Sequence, residues 1–253
     1  MSEQNHQNNS SEFQSAEEWH GVRFIEGIHN NPEHLRDHKE LVRTEWEKHT
    51  LQRELEDSQQ NLREAEERAD RHPLTGLPNR AVFDRDLDEA FLSVEQGVRP
   101  NIAIVNADLD GFKEVNDGYG HEKGDDVLRE VGDQLERELP LLSEILGGLR
   151  ENDKVYHVGG DEFLIILDLS QRQGESAQGT IYSDEEKMEI IIEDRIRPAA
   201  TRAFAEHGVV GSSSMGYSLY QDGDTPKTMK EPADKAMYRD KAAKLERLDA
   251  LRS

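Results

Sequence analysis

Apolar residues are concentrated in the C-terminal part of the chain, where their spacing changes between extended and helical periods. Two uninterrupted apolar runs, Ile102–Val105 and Phe163–Leu167, are typical of buried strands. Around them, apolar residues recur at spacings of three and four, which is typical of amphipathic helices. The pattern predicts helices over residues 80–94, 124–139, 185–206 and 232–251, and strands over residues 102–109, 154–157, 162–167 and 209–219.

The order of these elements indicates a mixed fold. The strands at 154–157 and 162–167 flank Gly159-Gly160, and two short strands joined by a glycine pair are typical of a β-hairpin. Helices alternate with strands elsewhere. We therefore expect one α/β or α+β domain over residues 72–253, with helices packed on a central sheet. Residues 170–183 form a polar loop with no assigned role.

The N-terminal part has a different pattern. Residues 1–32 are mostly polar, and we expect them to be disordered or to form a short helix. Segment 33–71 has no Pro or Gly and is rich in good helix formers. It is either a single solvated helix packed on its own domain or a parallel, dimeric coiled-coil stalk. A seven-residue repeat runs along it through Leu41, Lys48, Leu55, Leu62 and Ala69.

The amino-acid composition argues against some classes of function. The chain carries 54 acidic and 31 basic side chains, a formal net charge of −23. This field repels nucleic acid and anionic lipid, so we expect neither nucleic acid nor membrane as a partner. It also repels phosphates, so a phosphate site needs divalent cations and local basic residues. With no cysteine and no apolar run long enough to cross a bilayer, we expect a soluble, cytoplasmic protein.

Two acidic clusters lie at the ends of predicted strands. Asp108 and Asp110 close the strand that starts at Ile102, and alternate side chains of a strand share one face. Carboxylates at such an edge suit Mg²⁺, a hard cation that is usually shared with phosphate. Asp161 and Glu162 follow a glycine pair that lets a nucleotide approach the main chain. Either cluster alone is common in surface turns, but together they indicate a metal-dependent phosphate site.

Five motifs follow one another along the chain: Leu74–Arg80, Asp108–Lys113 with Asn116-Asp117 and Gly120-His121, His157–Phe163, Ser214–Gly216, and Ala233–Lys241. In this order they resemble the motifs of the GGDEF family of diguanylate cyclases, and the resemblance covers about residues 74–241. It implies a nucleotidyl-cyclase or polymerase-palm-like fold, in which helices flank a mostly antiparallel sheet after a long N-terminal helix. It also implies an enzyme that condenses two GTP into cyclic di-GMP and two pyrophosphates.

The resemblance implies roles for individual residues. The implied catalytic residues are Asp161, the candidate base for the 3′-hydroxyl of GTP, and Glu162, which supports the metal site. A carboxylate suits guanine because it accepts from both N1–H and N2–H₂, a donor pair that adenine lacks. The implied Mg²⁺ or Mn²⁺ ligands are Asp108, Asp161, Glu162 and the carbonyl of Leu109. The implied substrate-binding residues are Asn116 and Asp125 for guanine, His121 for the pocket, and Phe112, Lys113 and Lys241 for the triphosphate.

Two further expectations follow from the resemblance. Each domain binds one GTP, so two domains must face each other, which favours the homodimeric stalk for segment 33–71. Arg150 and Asp153 lie at the spacing of the family's product-inhibition site, so we expect feedback by cyclic di-GMP. Taken alone, such a pair is a common surface salt bridge.

Three positions depart from the family pattern. His72 stands where Asp is usual, His157 where Arg is frequent, and Leu245 where a second phosphate-facing cation is frequent. Loss of that cation weakens the expected affinity for GTP. Two other functions stay open: a receptor that binds cyclic di-GMP or GTP without turnover, and a scaffold that acts through the coiled coil. The intact Asp161-Glu162 pair favours the enzyme.

Overall fold

The computed structural model describes residues 32–97, 101–142, 153–169 and 182–252. The chain divides into two compact units, Met1–Glu66 and Glu67–Ser253. The expectations for residues 1–31, for Arg150 and for most of the 170–183 loop fall outside the described residues. In the part that is described, no helix combines the length and the apolar character needed to cross a bilayer.

The described elements follow the predicted order, with one additional short helix after the first strand and with shifted bounds. The strands are β1 (Ile102–Asp110), β2 (Lys154–Gly159), β3 (Glu162–Asp168) and β4 (Ser212–Leu219). The helices are α1 (Pro32–Ala69), α2 (Arg80–Glu95), α3 (Phe112–Tyr119), α4 (His121–Glu138), α5 (Asp184–Ile190), α6 (Arg197–Glu206) and α7 (Pro226–Arg252). A π-helical segment, Ile191–Ile196, joins α5 to α6.

The four strands form one antiparallel sheet in the order β2-β3-β1-β4, as the resemblance implies. The register pairs Asp108 of β1 with Glu162 of β3 on one side and with Ser214 of β4 on the other. The predicted metal-binding end of β1 therefore lies in the middle of the sheet, between the hairpin and the edge strand.

Alternation along the strands divides the core into two layers. One face of the sheet, which includes Ala103 and Val105, packs with α4, α5 and α6. The opposite face, which includes Ile102 and Ile104, packs with α2 and α7. The even-numbered positions at the end of β1, Asp108 and Asp110, continue the second face and so point toward α7.

The last helix, the segment after β1 and the last strand differ from the predictions. The last helix begins at Pro226 rather than Pro232, because the Thr225 hydroxyl accepts the Thr228 N–H and Pro226 needs no donor in the first turn. The short helix α3 was not predicted, and it starts after Gly111, whose φ is 84°. The predicted strand at 209–219 is shorter and begins at Ser212.

Helix α1 lies where the sequence predicts a helix, and its leucines are exposed. Leu41, Leu51, Leu55 and Leu62 keep between 52% and 64% of their surface accessible. Side-chain pairs four residues apart, such as Arg43 with Glu47 at 2.9 Å, support the helix itself. The apolar seam is thus uncovered in the single chain.

Candidate active site

The β2–β3 turn brings Asp161 to the end of β1. Gly159 and Gly160 have φ values of 141° and 58°, which L side chains rarely adopt, so this turn requires both glycines. The backbone N–H of Leu109 donates to the carbonyl of Asp161 at 3.2 Å. Because Glu162 lies opposite Asp108 in the register, the four predicted metal-binding residues are neighbours.

Carboxylates outnumber cations at this edge. Burial, followed by the charge of Asp108, raises the pKa of Asp161. The same two causes, together with the charge of Asp161, raise the pKa of Glu162. Lys241 donates a hydrogen bond to Asp108. Burial alone would lower the pKa of Lys241, but this hydrogen bond and the nearby carboxylates raise it overall. Burial first, and then the neighbouring carboxylates, thus favour the protonated forms of Asp161 and Glu162.

These oxygen atoms suit a hard divalent cation. Asp108 precedes Leu109 in β1, and the Leu109 N–H donates to the backbone carbonyl of Asp161. Mg²⁺ is commonly held by one or two carboxylates together with substrate phosphates. Within the described ranges, no three or more Asp, Glu, His or Cys side chains form a ready-made metal cage. The ligand set therefore fits an ion that shares its coordination with phosphate oxygens.

A cavity of about 300 Å³ opens beside this edge. Five predicted site residues are not part of its wall: Asp108, Asn116, His121, Asp125 and Glu162. The predicted residues that line it are Leu109, Phe112, Lys113, Asp161 and Lys241. The remaining wall residues, which the motifs do not include as site residues, are Asp110, Gly111, Glu114, Ser212, Lys244 and Leu245. The wall carries three lysines and three carboxylates, Asp110, Glu114 and Asp161, so it is not acidic as the whole chain is. Lys113 and Lys241 are the wall cations that the sequence predicts for an anionic group.

Lys244 is the wall residue that sequence reasoning missed. Its ammonium contacts Asp240 Oδ2 at 3.1 Å and Asp110 Oδ2 at 3.2 Å, and it donates to the carbonyl of Ser213. An ammonium has three protons, so these acceptors engage all of its donors. Lys244 therefore joins α7 to β1 and β4, and it does not replace the cation missing at Leu245. Its four-residue spacing from Asp240 was visible in the sequence, but its contact with Asp110 was not.

Asp110 is likewise engaged within the protein. One of its oxygens accepts from the Ser212 hydroxyl at 2.8 Å and the other from the Ser214 hydroxyl at 2.6 Å. Asp240 accepts from Arg197 and from the Met215 N–H, both at 2.9 Å. Of the two carboxylates at the end of β1, Asp108 is thus the one that faces the Asp161 turn, and Asp110 fixes the strands.

The predicted guanine-binding residues lie on two consecutive helices. Asn116 is on α3, Asp125 is on α4, and His121 is the exposed first residue of α4. The side-chain amide of Asn116 lies directly against Gly124, the residue that precedes Asp125. The fold therefore brings Asn116 to the part of α4 that carries Asp125.

Asp153 of the predicted product-inhibition pair is buried at 7% exposure. Its Oδ1 accepts the backbone N–H of Asp168 at 2.8 Å, which ties the start of β2 to the end of β3. Asp153 thus has a structural contact in addition to the role that the sequence predicts. Its predicted partner Arg150 is outside the described residues, so the product site stays a prediction.

His72 and His157, the two departures near the glycine pair, contact each other. Their ring centroids are 3.7 Å apart, and the His157 ring stacks on Phe163 at 4.4 Å. His157 Nδ1 lies 3.2 Å from the Thr75 hydroxyl, and its Nε2 lies 3.0 Å from the carbonyl of Gly160. A neutral His157 with its proton on Nε2 satisfies both contacts. The histidine pair thus supports the turn that carries Asp161.

Because neutral His157 supports the turn, we expect the folded protein to lose stability in acid. Burial and the neighbouring His72 lower the pKa of His157 to about 4. The unfolded chain therefore binds a proton that the folded chain does not, between pH ~6.5 and pH ~4. The stabilisation is complete above pH ~6.5 and falls by about 2 kcal/mol as the pH drops through this window. Urea unfolding of the wild type and His157→Gln across pH 4–7.5 measures it. A variant with the same pH dependence as the wild type would contradict the role of His157.

Known proteins match this chain both in sequence and in fold. Residues 69–247 match the family model described as diguanylate cyclase, GGDEF domain. The diguanylate cyclase DgcS of Shewanella oneidensis is 31% identical over 171 residues, which cover 67% of this chain and 49% of DgcS. The chain covers still less of other relatives, 21% of one and 33% of another.

Two solved structures resemble this chain. The diguanylate cyclase SiaD of Pseudomonas aeruginosa, solved in complex with its activator SiaC, is 27% identical with a TM-score of 0.56, and the match covers 82% of this chain and 72% of SiaD. The coiled coil and GGDEF domain of DgcB from Caulobacter crescentus is 23% identical with a TM-score of 0.58, covering 79% of this chain and 95% of that structure. The DgcB likeness supports the fold.

Proposed function

This chain belongs to the GGDEF family of diguanylate cyclases, and on that premise we propose that it condenses two GTP into cyclic di-GMP and two pyrophosphates. The observation that supports this most directly is the convergence of Asp108, Asp161 and the Leu109 backbone beside a cavity with three lysines. Carboxylates that can hold a divalent ion and cations that can bind phosphate thus meet at one end of the sheet.

In the proposed reaction, the 3′-oxygen of one GTP attacks the α-phosphorus of the other, and the bond from that phosphorus to pyrophosphate breaks. Asp161 accepts the proton of the 3′-hydroxyl as the general base. A second attack with the roles exchanged closes the ring. A divalent ion held by Asp108, Asp161, Glu162 and the Leu109 carbonyl supplies positive charge at the phosphate oxygens.

Different residues bind different parts of GTP. Lys113 and Lys241 neutralise the triphosphate, and Phe112, as the first residue of α3, offers an N–H that no residue of the helix can accept. Asn116 and Asp125, which lie outside the cavity wall, bind the guanine edge, and His121 lies beside the bound guanine.

Two GTP must meet, so the active form is a homodimer. The exposed leucines of α1 span about 30 Å between Leu41 and Leu62, long enough for a two-stranded seam. Pairing through α1 raises the local concentration of the second domain. In the same proposal, cyclic di-GMP binds at Arg150 and Asp153 and inhibits the enzyme.

Purified chain incubated with Mg²⁺ and either GTP or ATP, followed by chromatography, tests the function. We expect cyclic di-GMP from GTP and no cyclic product from ATP. The rate per chain should rise with protein concentration as dimers form. Binding of cyclic di-GMP without any turnover of GTP, at concentrations that give a dimer, would replace the enzyme with a receptor.

Restoring a cation at position 245 should tighten GTP binding. Leu245 lines the cavity one helical turn after Lys241 and is 58% exposed, so an arginine fits without disturbing the core. We expect Leu245→Arg to lower the KM for GTP about fivefold, the effect of ~1 kcal/mol from one exposed charge pair, with kcat little changed. Leu245→Gln, which adds polarity without charge, is the control. Equal KM values for the arginine and glutamine variants would contradict a phosphate at this position.

A further inference from the structure

Gly124 occupies a position at which the backbone does not require glycine. It lies in the first turn of α4 and makes the ordinary helical bond from its N–H to the carbonyl of Gly120 at 3.3 Å. Its φ is not positive, unlike that of Gly120. Glycine disfavours helix formation relative to alanine, so the helix gains nothing from it. The reason for glycine must lie in what surrounds it.

The space beside Gly124 is filled by the side chain of Asn116. A Cβ built on Gly124 would lie 2.0 Å from Asn116 Oδ1, 3.0 Å from Asn116 Cγ and 3.2 Å from Phe112 Cζ. Non-bonded heavy atoms pack near 3.5–4.0 Å, so a methyl group and the present amide cannot coexist. Gly118, a helical glycine on α3, has nothing within 4 Å of the same position. Close approach is therefore a property of Gly124 and not of every glycine in this region.

We propose that Gly124 is a positioning residue for guanine recognition, which it serves by leaving a seat for the amide of Asn116. This rests on the proposed function, in which Asn116 and Asp125 bind the guanine edge together. Gly124 precedes Asp125 directly, so the seat fixes the amide relative to the residue with which it acts. A methyl group at position 124 displaces the amide by more than an ångström, and hydrogen bonds weaken steeply when their geometry is lost.

The displaced group is the end of a short side chain, so the fold absorbs the change. Rotation of the Asn116 side chain relieves the contact with Oδ1, and the contacts with Asn116 Cγ and Phe112 Cζ require shifts of only a few tenths of an ångström. Alanine is also the better helix former. The proposal therefore predicts a loss of base recognition without a loss of stability. A glycine needed only for packing of α3 on α4 would show the opposite result.

The test compares Gly124→Ala, Gly118→Ala, Asn116→Ala and the Asn116→Ala/Gly124→Ala double variant. The probes are α,β-methylene analogues of GTP and ATP, which cannot lose pyrophosphate, and thermal unfolding is recorded for each protein. We expect Gly124→Ala to weaken binding of the GTP analogue about tenfold or more. Binding of the ATP analogue and the Tm should be nearly unchanged. Gly118→Ala should match the wild type. In the Asn116→Ala background, where the seat is empty, Gly124→Ala should change GTP binding less than about twofold.

The outcomes separate this inference from the proposed function. A wild type without preference for the GTP analogue overturns both. If the wild type prefers the GTP analogue and Gly124→Ala binds that analogue equally well, the role of Gly124 is wrong and the proposed function is not affected. The role of Gly124 is also wrong if the effects of Gly124→Ala and Asn116→Ala on GTP-analogue binding are additive. It is likewise wrong if Gly124→Ala lowers the Tm and the double variant does not restore it.

Discussion

Asp161→Asn should abolish most cyclic di-GMP synthesis while leaving the protein folded. We expect the rate to fall by roughly 10²–10⁴-fold, the range for a lost general base, because an amide neither accepts the 3′-hydroxyl proton nor holds a divalent ion as a carboxylate does. The contact that secures the turn is made by the Asp161 backbone carbonyl with the Leu109 N–H, so it survives the substitution. The measurement is the initial rate of product formation from GTP, together with thermal unfolding.

Glu114→Gln provides the matched control, since Glu114 lies in the wall of the same cavity and loses the same charge. It should keep a rate within a fewfold of the wild type. If Asp161→Asn retained a tenth or more of the wild-type rate, Asp161 would be neither the base nor an essential ligand, and the assignment of the active site would be wrong.

Gly216→Ala should destabilise the C-terminal domain and disable the phosphate side of the cavity. A Cβ on Gly216 of β4 would lie 2.1 Å from the Met237 N, 2.4 Å from the Ala233 O and 2.7 Å from the Ala236 C, all backbone atoms of α7. Side-chain rotation cannot relieve such contacts, so the helix must move away from the sheet. We expect a loss of about 3 kcal/mol, at the upper end for overpacking.

The displacement of α7 carries a functional consequence. Lys241 and Lys244 both reach the end of β1 from this helix, through Asp108 and Asp110. Nucleotide affinity should therefore fall together with stability. Urea unfolding and GTP-analogue binding of Gly216→Ala measure the two effects, with Gly118→Ala as an alanine substitution in open space. Wild-type stability in Gly216→Ala would show that α7 does not rest on β4 as closely as described.

The sequence predicted those parts of the molecule that depend on local pattern or on the motif residues. The apolar run of β1, the glycine pair and the acidic residues beside them all lie where the spacing placed them, and α+β architecture is confirmed. Such features are visible in sequence because strand alternation and glycine conformations are properties of a few consecutive residues.

Other parts arise only when distant segments meet. Lys244 reaches Asp110 across 134 positions, and nothing in the local pattern of α7 indicates that contact. The seat for Asn116 depends on two helices packing at Gly124, and His72 supports His157 although 85 positions separate them. The two histidines illustrate the difference. Each is a departure when compared with the family position by position, whereas in the fold they form one stacked pair.

The ratio of products formed by the wild-type chain from GTP and Mg²⁺ tests the central claim most directly. Quantifying cyclic di-GMP by chromatography and pyrophosphate by an enzymatic assay over one time course gives both numbers. The proposed condensation predicts two pyrophosphates for every cyclic di-GMP. Pyrophosphate without cyclic product, or no product at concentrations that yield a dimer, would contradict the assignment of this site as a diguanylate cyclase.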